Sequence, residues 1–402
     1  MEGRHMRRAL LVLILLLPLA AEALPLSPSM PRSERLTVLD TFWAEWKRLY
    51  LREGCGGAYV ATSGDGKTTW GGSAAKTLTV SEAHGYGMLA LVQMADRDPD
   101  AHRLFDLMQA FFVAHPAASG PGLMAWNQTG DCRDAPDGGD RSASDGDLDV
   151  ALALLKADQR WGGYGKLAAS VRTAILAREV TPDGMMMLGD WARNDDDGTY
   201  AGSSRSSDFM PASFAAFAAA GDRDARRWSE LRDRGYLVWG DLSRRYARKT
   251  GLVPDFLTGL PDEPRPVPTN FLEGRFDGAF SWNALRFPWR LSLDLLMTGD
   301  ERAASHLAAL NRWIRKASGG DPLRIATTYR LDGRVPPDQD TGSAAFIAMF
   351  AAGATAGSGD AAADQAWLDT LWAALLTIPA TEEDYYGNTL KLLAMISLCE
   401  ET

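Results

Sequence analysis

The chain has 402 residues, 46% of them hydrophobic, and a formal net charge of −10, which is the composition of an ordinary globular protein. The negative charge argues against a nucleic-acid partner and suits a neutral or cationic substrate. None of the three cysteines lies in a C-x-x-C pair, so they do not indicate metal binding or redox work. In an oxidising compartment, Cys55 and Cys132 could form a disulfide.

The N-terminal residues have the features of a targeting segment. Residues 1–5 (MEGRH) are interpreted as a cloning remnant. Residues 6–23 combine two arginines, the apolar run ALLVLILLLPLAA and an A-E-A site that ends at Ala23, which is typical of a cleavable signal peptide. The apolar run is shorter than the roughly 20 residues of a membrane-spanning helix. We therefore expect a secreted or periplasmic monomer, free of the membrane, whose single domain covers residues 24–402.

Helical periodicity dominates the rest of the chain. In LTVLDTFWAEWKRLYL, apolar residues recur at spacings of three to five between Leu36 and Leu51. Similar patterns predict helices near 83–95, 101–115, 147–160, 164–178, 208–220, 223–248, 283–298, 301–317, 340–356, 361–377 and 385–398. About twelve helices without alternating strands favour an all-α fold, a closed (α/α)6 barrel. A helical solenoid is the alternative, although no fixed-period repeat is present.

Four long connections interrupt the helices, and all are rich in Gly, Asp, Pro or Trp. They cover residues 52–76, 116–142, 181–207 and 250–282. Long loops on a rigid scaffold commonly carry the functional site. We therefore expect the site at the end of the barrel where these loops enter the helices.

Several familiar site motifs are missing from the sequence. The histidines after residue 6 are scattered, and there is no H-E-x-x-H, so no metal site is predicted. There is no G-x-S-x-G, and SGDGKTT (63–69) lacks the spacing of a phosphate-binding loop. The acidic stretches NDDDG (194–198) and DGDLD (145–149) do not complete a calcium loop. No cofactor is expected.

What remains is a set of carboxylates at predicted helix starts, close to aromatic residues. The acids are Glu82, Asp145, Asp147, Asp149, Asp208, Glu273 and Asp277, and the aromatics are Tyr86, Trp126, Trp191 and Trp282. Each acid alone could be a helix cap that contributes about 0.3–2 kcal/mol, and most tryptophans could be core residues. Together they indicate a carbohydrate cleft, in which rings stack on sugars and carboxyl groups perform acid/base chemistry.

Two contiguous motifs, SEAHGYGM (81–88) and ASDGDLDVALALLKADQRW (143–161), resemble those of a known family. The first resembles the S-E-G-x-G-Y-G-M motif, and the second the A-[ST]-D-[AG]-D signature, of glycoside hydrolase family 8. MAWN, GLVPDF and NALRFPWRLSLDLL resemble further family segments in the same order, so the resemblance covers roughly residues 35–398. It implies an (α/α)6 barrel that hydrolyses β-linked glycans within the chain, with inversion.

The resemblance also implies roles for individual residues. Glu82 would be the general acid, and Asp145 would bind and distort the sugar. Asn283 stands where many family members have the basic Asp, and an amide cannot accept the proton. One subfamily, which contains chitosanases and lichenases, has Asn there and takes its base from the preceding loop. Glu273 fits that role, with Asp277 as the alternative base.

The remaining candidates are expected to bind substrate. Tyr86, Trp126 and Trp191 would line subsites. Asp208, Asn283 and Arg286 would contact the sugar, although Arg286 could instead pair with the catalytic acids. The two glycines beside Glu82, at positions 85 and 87, would leave backbone room for the sugar.

The sequence thus predicts a secreted inverting endo-β-1,4-glucanase. A chitosanase or a mixed-linkage β-glucanase of the same family is the alternative, because the subfamily with Asn at the base position contains both. A more distant alternative is a non-catalytic glycan-binding protein on the same scaffold. A lyase acting on uronic polymers would need a Tyr or His base and basic residues around it, where this sequence offers carboxylates.

Overall fold

The computed structural model describes residues 25–64, 77–194 and 198–399. The proposed cloning remnant, the signal peptide and most of the SGDGKTT motif lie outside these ranges. Within them, the chain forms twelve α-helices. These are α1 Arg32–Tyr50, α2 Ser81–Gln93, α3 Ala101–Ala114, α4 Ser144–Trp161, α5 Gly165–Arg178, α6 Pro211–Ala219, α7 Ala225–Tyr246, α8 Phe287–Thr298, α9 Glu301–Ala317, α10 Ala344–Ala354, α11 Ala361–Thr377 and α12 Tyr385–Cys399.

The helices form two concentric layers. Each even-numbered helix packs against the next even-numbered one, and α12 packs against α2, so six helices close an inner ring. The odd-numbered helices lie outside: α3, α5, α7, α9 and α11 each pack on the inner helix that precedes them, and α1 packs on α12. The predicted (α/α)6 barrel is therefore confirmed.

Sequence pattern decides which helices are inner and which are outer. Every residue of α10 and of α12 is buried, and α10 (AAFIAMFAAGA) is apolar on all sides. A helix of that kind must be surrounded by protein. In α9, by contrast, the buried residues include Ala303, Leu307, Leu310 and Ile314, which form a single stripe at helical spacing. Such an amphipathic helix covers the ring and faces water.

The two glycines after Glu82 serve helix packing, which corrects the expectation that they make room for sugar. A Cβ on Gly85 would lie 2.8 Å from the Cβ of Asp149 and 2.9 Å from a backbone oxygen of α4. A Cβ on Gly87 would lie 2.5 Å from a Val60 methyl group. Neither position tolerates a side chain because α2 is pressed directly against its neighbours.

Short antiparallel strands occupy the long loops. β1 (Leu51–Gly54) pairs with β2 (Gly57–Val60), and β3 (Thr77–Val80) pairs with β4 (Asn127–Thr129). Further along, β5 (Ser204–Arg205), β6 (Phe256–Thr258) and β7 (Arg265–Pro266) form one small sheet. These pairings hold the loops in fixed positions over one end of the ring.

A disulfide adds a further tie between two of these loops. Cys55 in the β1–β2 turn is bonded to Cys132 after β4, with Cα atoms 5.4 Å apart. This confirms the pairing that the sequence allowed. Cys399 is a buried free thiol.

The predicted helix starts differ from those in the structure where the site lies. α2 begins at Ser81, so Glu82 is within its first turn. α8 begins at Phe287, because residues 284–286 form a separate 3-10 turn before Pro288. No helix in the described part of the chain combines the length and the apolar character needed to cross a membrane.

Candidate active site

A cleft opens at the end of the barrel where three inner helices begin. The N-terminal ends of α2, α4 and α12 meet the loop that precedes α8, and a cavity of about 360 Å³ lies between them. The residues that line it are Val80, Ser81, Glu82, Trp126, Ala143, Asp145, Arg205, Glu273, Trp282, Asn283, Asp384 and Tyr386. Five of the predicted site residues therefore share one cavity: Glu82, Trp126, Asp145, Glu273 and Asn283.

Glu82 has the environment of an acid that keeps its proton. Its side chain is 15% exposed, Oε2 lies 2.5 Å from Nη1 of Arg286, and Oε1 accepts a hydrogen bond from the Tyr385 hydroxyl at 3.4 Å. Burial, helped by the nearby Asp145 charge and opposed by Arg286, raises the pKa of Glu82 to about 8. At neutral pH this carboxyl group is protonated.

Asp145 has the opposite electrostatic character. Its Oδ2 accepts a hydrogen bond from Nη1 of Arg286 at 2.8 Å, and its Oδ1 accepts one from the backbone N–H of Gly146 at 2.9 Å. Burial alone would raise its pKa, but the guanidinium groups of Arg205 and Arg286 outweigh burial and hold the pKa of Asp145 below its usual value. The site therefore contains one neutral and one ionised carboxyl group on either side of a shared arginine.

Arg286 pairs with the two acids, which corrects its assignment as a sugar-binding residue. It is fully buried, and the same Nη1 that contacts Glu82 and Asp145 lies 3.3 Å from the hydroxyl of Tyr86. Tyr86 is also fully buried, so it cannot form the subsite wall that the sequence predicted. It packs beneath Arg286 and supports that side chain.

Glu273 stands at the cleft with its side chain 49% exposed. Its Oε2 accepts a hydrogen bond from the amide nitrogen of Asn283 at 2.8 Å, and its Oε1 lies 3.4 Å from Nη2 of Arg205. Asn283 uses its amide oxygen to accept a hydrogen bond from Nη2 of Arg286 at 3.0 Å. The amide thus links the arginine that contacts Glu82 to the carboxylate on the other side of the cleft.

Asp277 is not placed to serve as the alternative base. Its carboxylate turns back into its own loop and accepts hydrogen bonds from the backbone N–H groups of Leu272, Glu273 and Gly274, at 2.7, 3.0 and 2.9 Å. The residue is 3% exposed. Asp277 therefore fixes the loop that presents Glu273.

Asp255 holds the turn that carries Asn283, the hydrogen-bond partner of Glu273. One carboxylate oxygen accepts hydrogen bonds from the backbone N–H groups of Ser281 and Ala284, at 2.8 and 2.7 Å, and so closes the turn that carries Trp282 and Asn283. Burial raises the pKa of Asp255 to about 7. Sequence reasoning missed this residue, because nothing in GLVPDF indicates that the Asp faces a turn 26 residues later.

The aromatic wall differs in part from the predicted one. Trp126 lines the cleft, with its ring nitrogen bonded to the carbonyl of Gly138 at 3.0 Å. Trp282, which is 42% exposed, also lines it, and the Tyr386 hydroxyl donates to its backbone carbonyl at 2.8 Å. The sequence had already placed Trp282 among the aromatics close to the carboxylates, without a subsite assigned to it.

Trp191 lies outside the set of residues that line this cavity. Its ring packs edge-on against Tyr200, with centroids 5.1 Å apart, and Tyr200 packs in turn on Phe271. Together with apolar residues from the neighbouring loops they form a small second core. Within the described residues, the ring of Trp191 packs in this loop core and does not line the cavity that holds Glu82.

Asp208 is buried beneath the cleft, which corrects its assignment as a residue that contacts sugar. It is fully buried, its Oδ2 lies 3.5 Å from Nη1 of Arg205, and neither carboxylate oxygen has a hydrogen-bond partner in the structure. Burial raises its pKa to about 7. A group with no exposed surface cannot bind the substrate directly.

A helical ring whose open end presents a protonated glutamic acid, an ionised aspartate and stacking tryptophans defines a glycoside hydrolase. The model of the family described as Glycosyl hydrolases family 8 matches residues 36–399, and the chain belongs to this family. The enzyme is therefore a glycosidase, as the sequence motifs indicated.

Individual relatives agree with this assignment. The chain is 38% identical to a β-glucanase from Niallia circulans, over 88% of this chain and 82% of the relative. It is 31% identical to an endoglucanase from Bacillus sp. strain KSM-330, over 93% and 78% of the two chains. The apo structure of a β-1,3-1,4-glucanase from Paenibacillus sp. X4 superimposes with a TM-score of 0.84 at 36% identity, covering 94% of this chain and 95% of that one.

Proposed function

We propose that the protein is an exported, inverting endo-β-glucanase whose preferred substrate is mixed-linkage β-1,3-1,4-glucan. The observation that carries the proposal is the pairing across one cleft of Glu82, which holds a proton at neutral pH, with the exposed carboxylate of Glu273. Hydrolysis with inversion needs these two states at the same time. The first prediction from sequence, a β-1,4-glucanase, remains the second candidate.

Glu82 acts as the general acid. It donates its proton to the glycosidic oxygen as the bond to the anomeric carbon breaks, and it is left as a carboxylate beside Arg286. Because Nη1 of that arginine already lies 2.5 Å from Oε2, the developing negative charge is stabilised without any rearrangement. With a pKa of about 8, Glu82 is protonated at neutral pH and can donate its proton.

Glu273 acts as the general base. It takes a proton from a water molecule, and the resulting hydroxide equivalent attacks the anomeric carbon from the face opposite Glu82. An inverting enzyme needs space for this water between the carboxyl groups, about 6.5–9.5 Å. In support of such a separation, Glu82 and Glu273 are linked through hydrogen bonds of two intervening residues, Arg286 and Asn283.

Asp145 stabilises positive charge on the sugar. It stays ionised through its arginine neighbours and lies beside the acid in the same cleft. The transition state of glycoside hydrolysis resembles an oxocarbenium ion, so a fixed carboxylate at the cleavage point favours it over the ground state.

A neutral glucan fits the charges of the cleft better than chitosan does. The carboxylates of Asp145 and Glu273 are each accompanied by a guanidinium group, Arg286 and Arg205 respectively, so the cleavage point carries little net negative charge to attract an amine. Trp126 and Trp282 offer rings for stacking on uncharged sugars. Mixed-linkage glucan is preferred because the Paenibacillus sp. X4 structure that superimposes at 36% identity is a β-1,3-1,4-glucanase.

The substrate and the stereochemistry can be tested in one experiment. Release of reducing ends is measured on lichenan, carboxymethylcellulose, chitosan and xylan, and proton NMR follows the first anomer formed on the best substrate. We expect fastest turnover on lichenan, internal cleavage and an initial α-anomer. Fastest turnover on carboxymethylcellulose would favour the β-1,4-glucanase, fastest turnover on chitosan would overturn the glucan proposal, and an initial β-anomer would overturn inversion.

Export is a separate part of the proposal and rests on the sequence of residues 6–23. N-terminal sequencing of protein collected from the periplasm or the medium should begin at Leu24. Recovery of the protein with residues 6–23 attached, from the cytoplasm alone, would contradict export. The monomeric state is checked on the same sample by its sedimentation velocity.

A further inference from the structure

Arg205 occupies a place in the cleft that no motif pointed to. It lies in β5, directly opposite Phe256 of β6, and its guanidinium carbon sits 5.3 Å from the centroid of the Phe256 ring. The side chain is 13% exposed and lines the same cavity as Glu82 and Glu273. The small sheet and the ring therefore fix where this positive charge stands.

Two carboxyl groups contact this guanidinium, and a third, that of Asp145, lines the same cavity. Nη2 lies 3.4 Å from Oε1 of Glu273, and Nη1 lies 3.5 Å from Oδ2 of Asp208. Arg205 also exerts the largest of the charge effects that lower the pKa of Asp145, ahead of Arg286. One side chain thus contacts Glu273 and acts electrostatically on Asp145.

The geometry of Arg205 differs from that of a structural ion pair in the same barrel. Arg290 and Asp149 are both buried and joined by two parallel hydrogen bonds of 2.7 and 2.6 Å. In Arg205, Nε and Nη1 are buried without a hydrogen-bond partner in the structure, and both carboxylate oxygens of Asp208 are in the same state. Nε of Arg290 is unpaired as well, so the difference lies in the ion pairs themselves: those of Arg205, at 3.4 and 3.5 Å, are longer than the two charged hydrogen bonds of Arg290.

We propose that Arg205 is a positioning residue for hydrolysis, which holds the carboxylate of Glu273 against Asn283 and supplies the positive charge that Asp145 faces. This inference rests on the proposed function, because it assigns Glu273 and Asp145 their catalytic work. Glu273 is half exposed on a loop, so its orientation depends on two contacts, Asn283 at one oxygen and Arg205 at the other. Loss of either contact lets the carboxylate turn towards solvent.

A matched set of variants separates positioning from folding. R205M removes the charge but leaves the buried Asp208 without its cation, which by itself destabilises the protein. R205M/D208N removes both charges and restores neutrality, while Glu273 still lacks its partner. R205K keeps a positive charge with one compact donor group. R265M is the control, because Arg265 is an exposed arginine of β7 in the same three-stranded sheet.

The expected result is a loss of kcat on lichenan in R205M/D208N on the order of 100-fold, with unfolding temperature near that of the wild type. The acid limb of kcat/KM should move to higher pH, because Asp145 then gains a proton more easily. R205K should recover part of the rate and most of the pH profile, and R265M should behave as the wild type does. A crystal structure of the double variant should show Glu273 turned away from Asn283.

A different outcome for the double variant would contradict the positioning role of Arg205. If R205M/D208N keeps the wild-type kcat and acid limb, and Glu273 stays bonded to Asn283 in its crystal structure, Arg205 does not position the base. This outcome leaves the proposed function intact, provided that E82Q and E273A are inactive. If the wild-type protein hydrolyses no β-glucan, the proposed function fails, and the orientation of Glu273 in the variant structure still decides the role of Arg205.

Discussion

Glu82 and Asp145 accept hydrogen bonds from the same nitrogen atom, Nη1 of Arg286, at 2.5 and 2.8 Å. The two acids begin different inner helices, α2 and α4, and a buried arginine from the turn before α8 joins them. The shared cation cannot neutralise both carboxylates fully. Asp145 is ionised because both Arg205 and Arg286 lower its pKa. A second negative charge, on Glu82, would be buried beside the first, so Glu82 keeps its proton instead.

This relationship predicts the alkaline limit of activity. The general acid must be protonated, so kcat/KM on lichenan should fall as pH rises through about 8, the pKa of Glu82. In D145N the residual activity should fall at a lower pH, because the Asp145 charge is one cause of the raised pKa. The matched control is D233N, which alters an exposed acid of α7. An alkaline limb that is unchanged in D145N would contradict the coupling.

Replacement of the acid itself should remove most of the activity. E82Q keeps the shape of the side chain but has no proton to donate, so kcat on lichenan should fall by a factor of about 10²–10⁴. A substrate with a good leaving group, such as an aryl glycoside, should lose less, because its departing oxygen needs little protonation. Near-wild-type hydrolysis of lichenan by E82Q would rule out Glu82 as the acid.

The base and the residue that holds its loop should be distinguishable by kinetics. E273A should lose about 10²–10⁴-fold in kcat with little change in unfolding temperature, because the side chain is half exposed. D277N should lower the unfolding temperature, since it disturbs three hydrogen bonds to the backbone of residues 272–274, while part of the activity remains. Full activity in E273A together with an inactive, stable D277N would exchange the two assignments.

The tryptophans give a prediction about binding. W126A and W282A should raise KM on lichenan about tenfold with a smaller change in kcat, because each ring lines the cleft and offers a stacking surface but no group for acid/base chemistry. W191A should lower the unfolding temperature and leave KM within about twofold, because its ring packs on Tyr200. A larger KM effect from W191A than from W282A would restore Trp191 to the subsite wall.

The barrel and the acid could be predicted because their signals are local in sequence. Helical periodicity needs only the order of apolar residues, and Glu82 and Asp145 each lie within one contiguous motif at a helix start. The replacement of the usual basic Asp by Asn283 could also be read from the sequence, because it is a single-residue difference from the family motif. The loop acid Glu273, offered as the substitute, does line the cleft.

The residues that were misplaced depend on directions that sequence does not specify. Tyr86 follows Glu82 by four positions, so both lie on one helix face, but Arg286 covers the second turn and buries Tyr86. The sequence does not distinguish the roles of Asp277 and Glu273, because both are acids in the same loop. Only the fold of that loop turns Asp277 inward to backbone N–H groups and leaves Glu273 half exposed. The position of Arg205 depends on its pairing with Phe256, 51 residues later in the chain, for which SSRSSD carries no signal.

A buried pair of acids behind the cleft predicts how stability depends on pH. Asp147 and Glu179 are both fully buried and interact electrostatically with one another, and Ser142 donates a hydrogen bond to Oε1 of Glu179 at 2.6 Å. Burial raises the pKa of Glu179 to about 8, and burial together with the neighbouring Glu179 charge raises that of Asp147. Asp147 also accepts a hydrogen bond from the backbone N–H of Met124, so the pair anchors the segment that carries Trp126.

The direction in which stability changes with pH follows from how tightly the folded and the unfolded protein hold the Glu179 proton. Above its ordinary pKa near 4.5, Glu179 loses its proton in the unfolded chain but keeps it in the folded protein until about pH 8. The contribution of Glu179 to the free energy of unfolding should therefore be fully present below about pH 4.5 and be lost between there and about pH 8, by up to about 1.4 kcal/mol per pH unit for each such proton. E179Q, which cannot ionise, should lessen this slope and unfold at a higher temperature than the wild type above pH 8.

The measurement is the free energy of urea unfolding between pH 5 and pH 9 for the wild type, E179Q and the control E301Q, whose side chain is exposed at the start of α9. Other buried acids with a raised pKa, among them Asp208, contribute a slope of the same sign, so E179Q should reduce the slope without abolishing it. An identical slope in E179Q and the wild type would mean that Glu179 is ionised in the folded protein. In that case the Asp147–Glu179 contact would need a positive charge beside it, and the described residues place none there in hydrogen-bond contact with either carboxyl group.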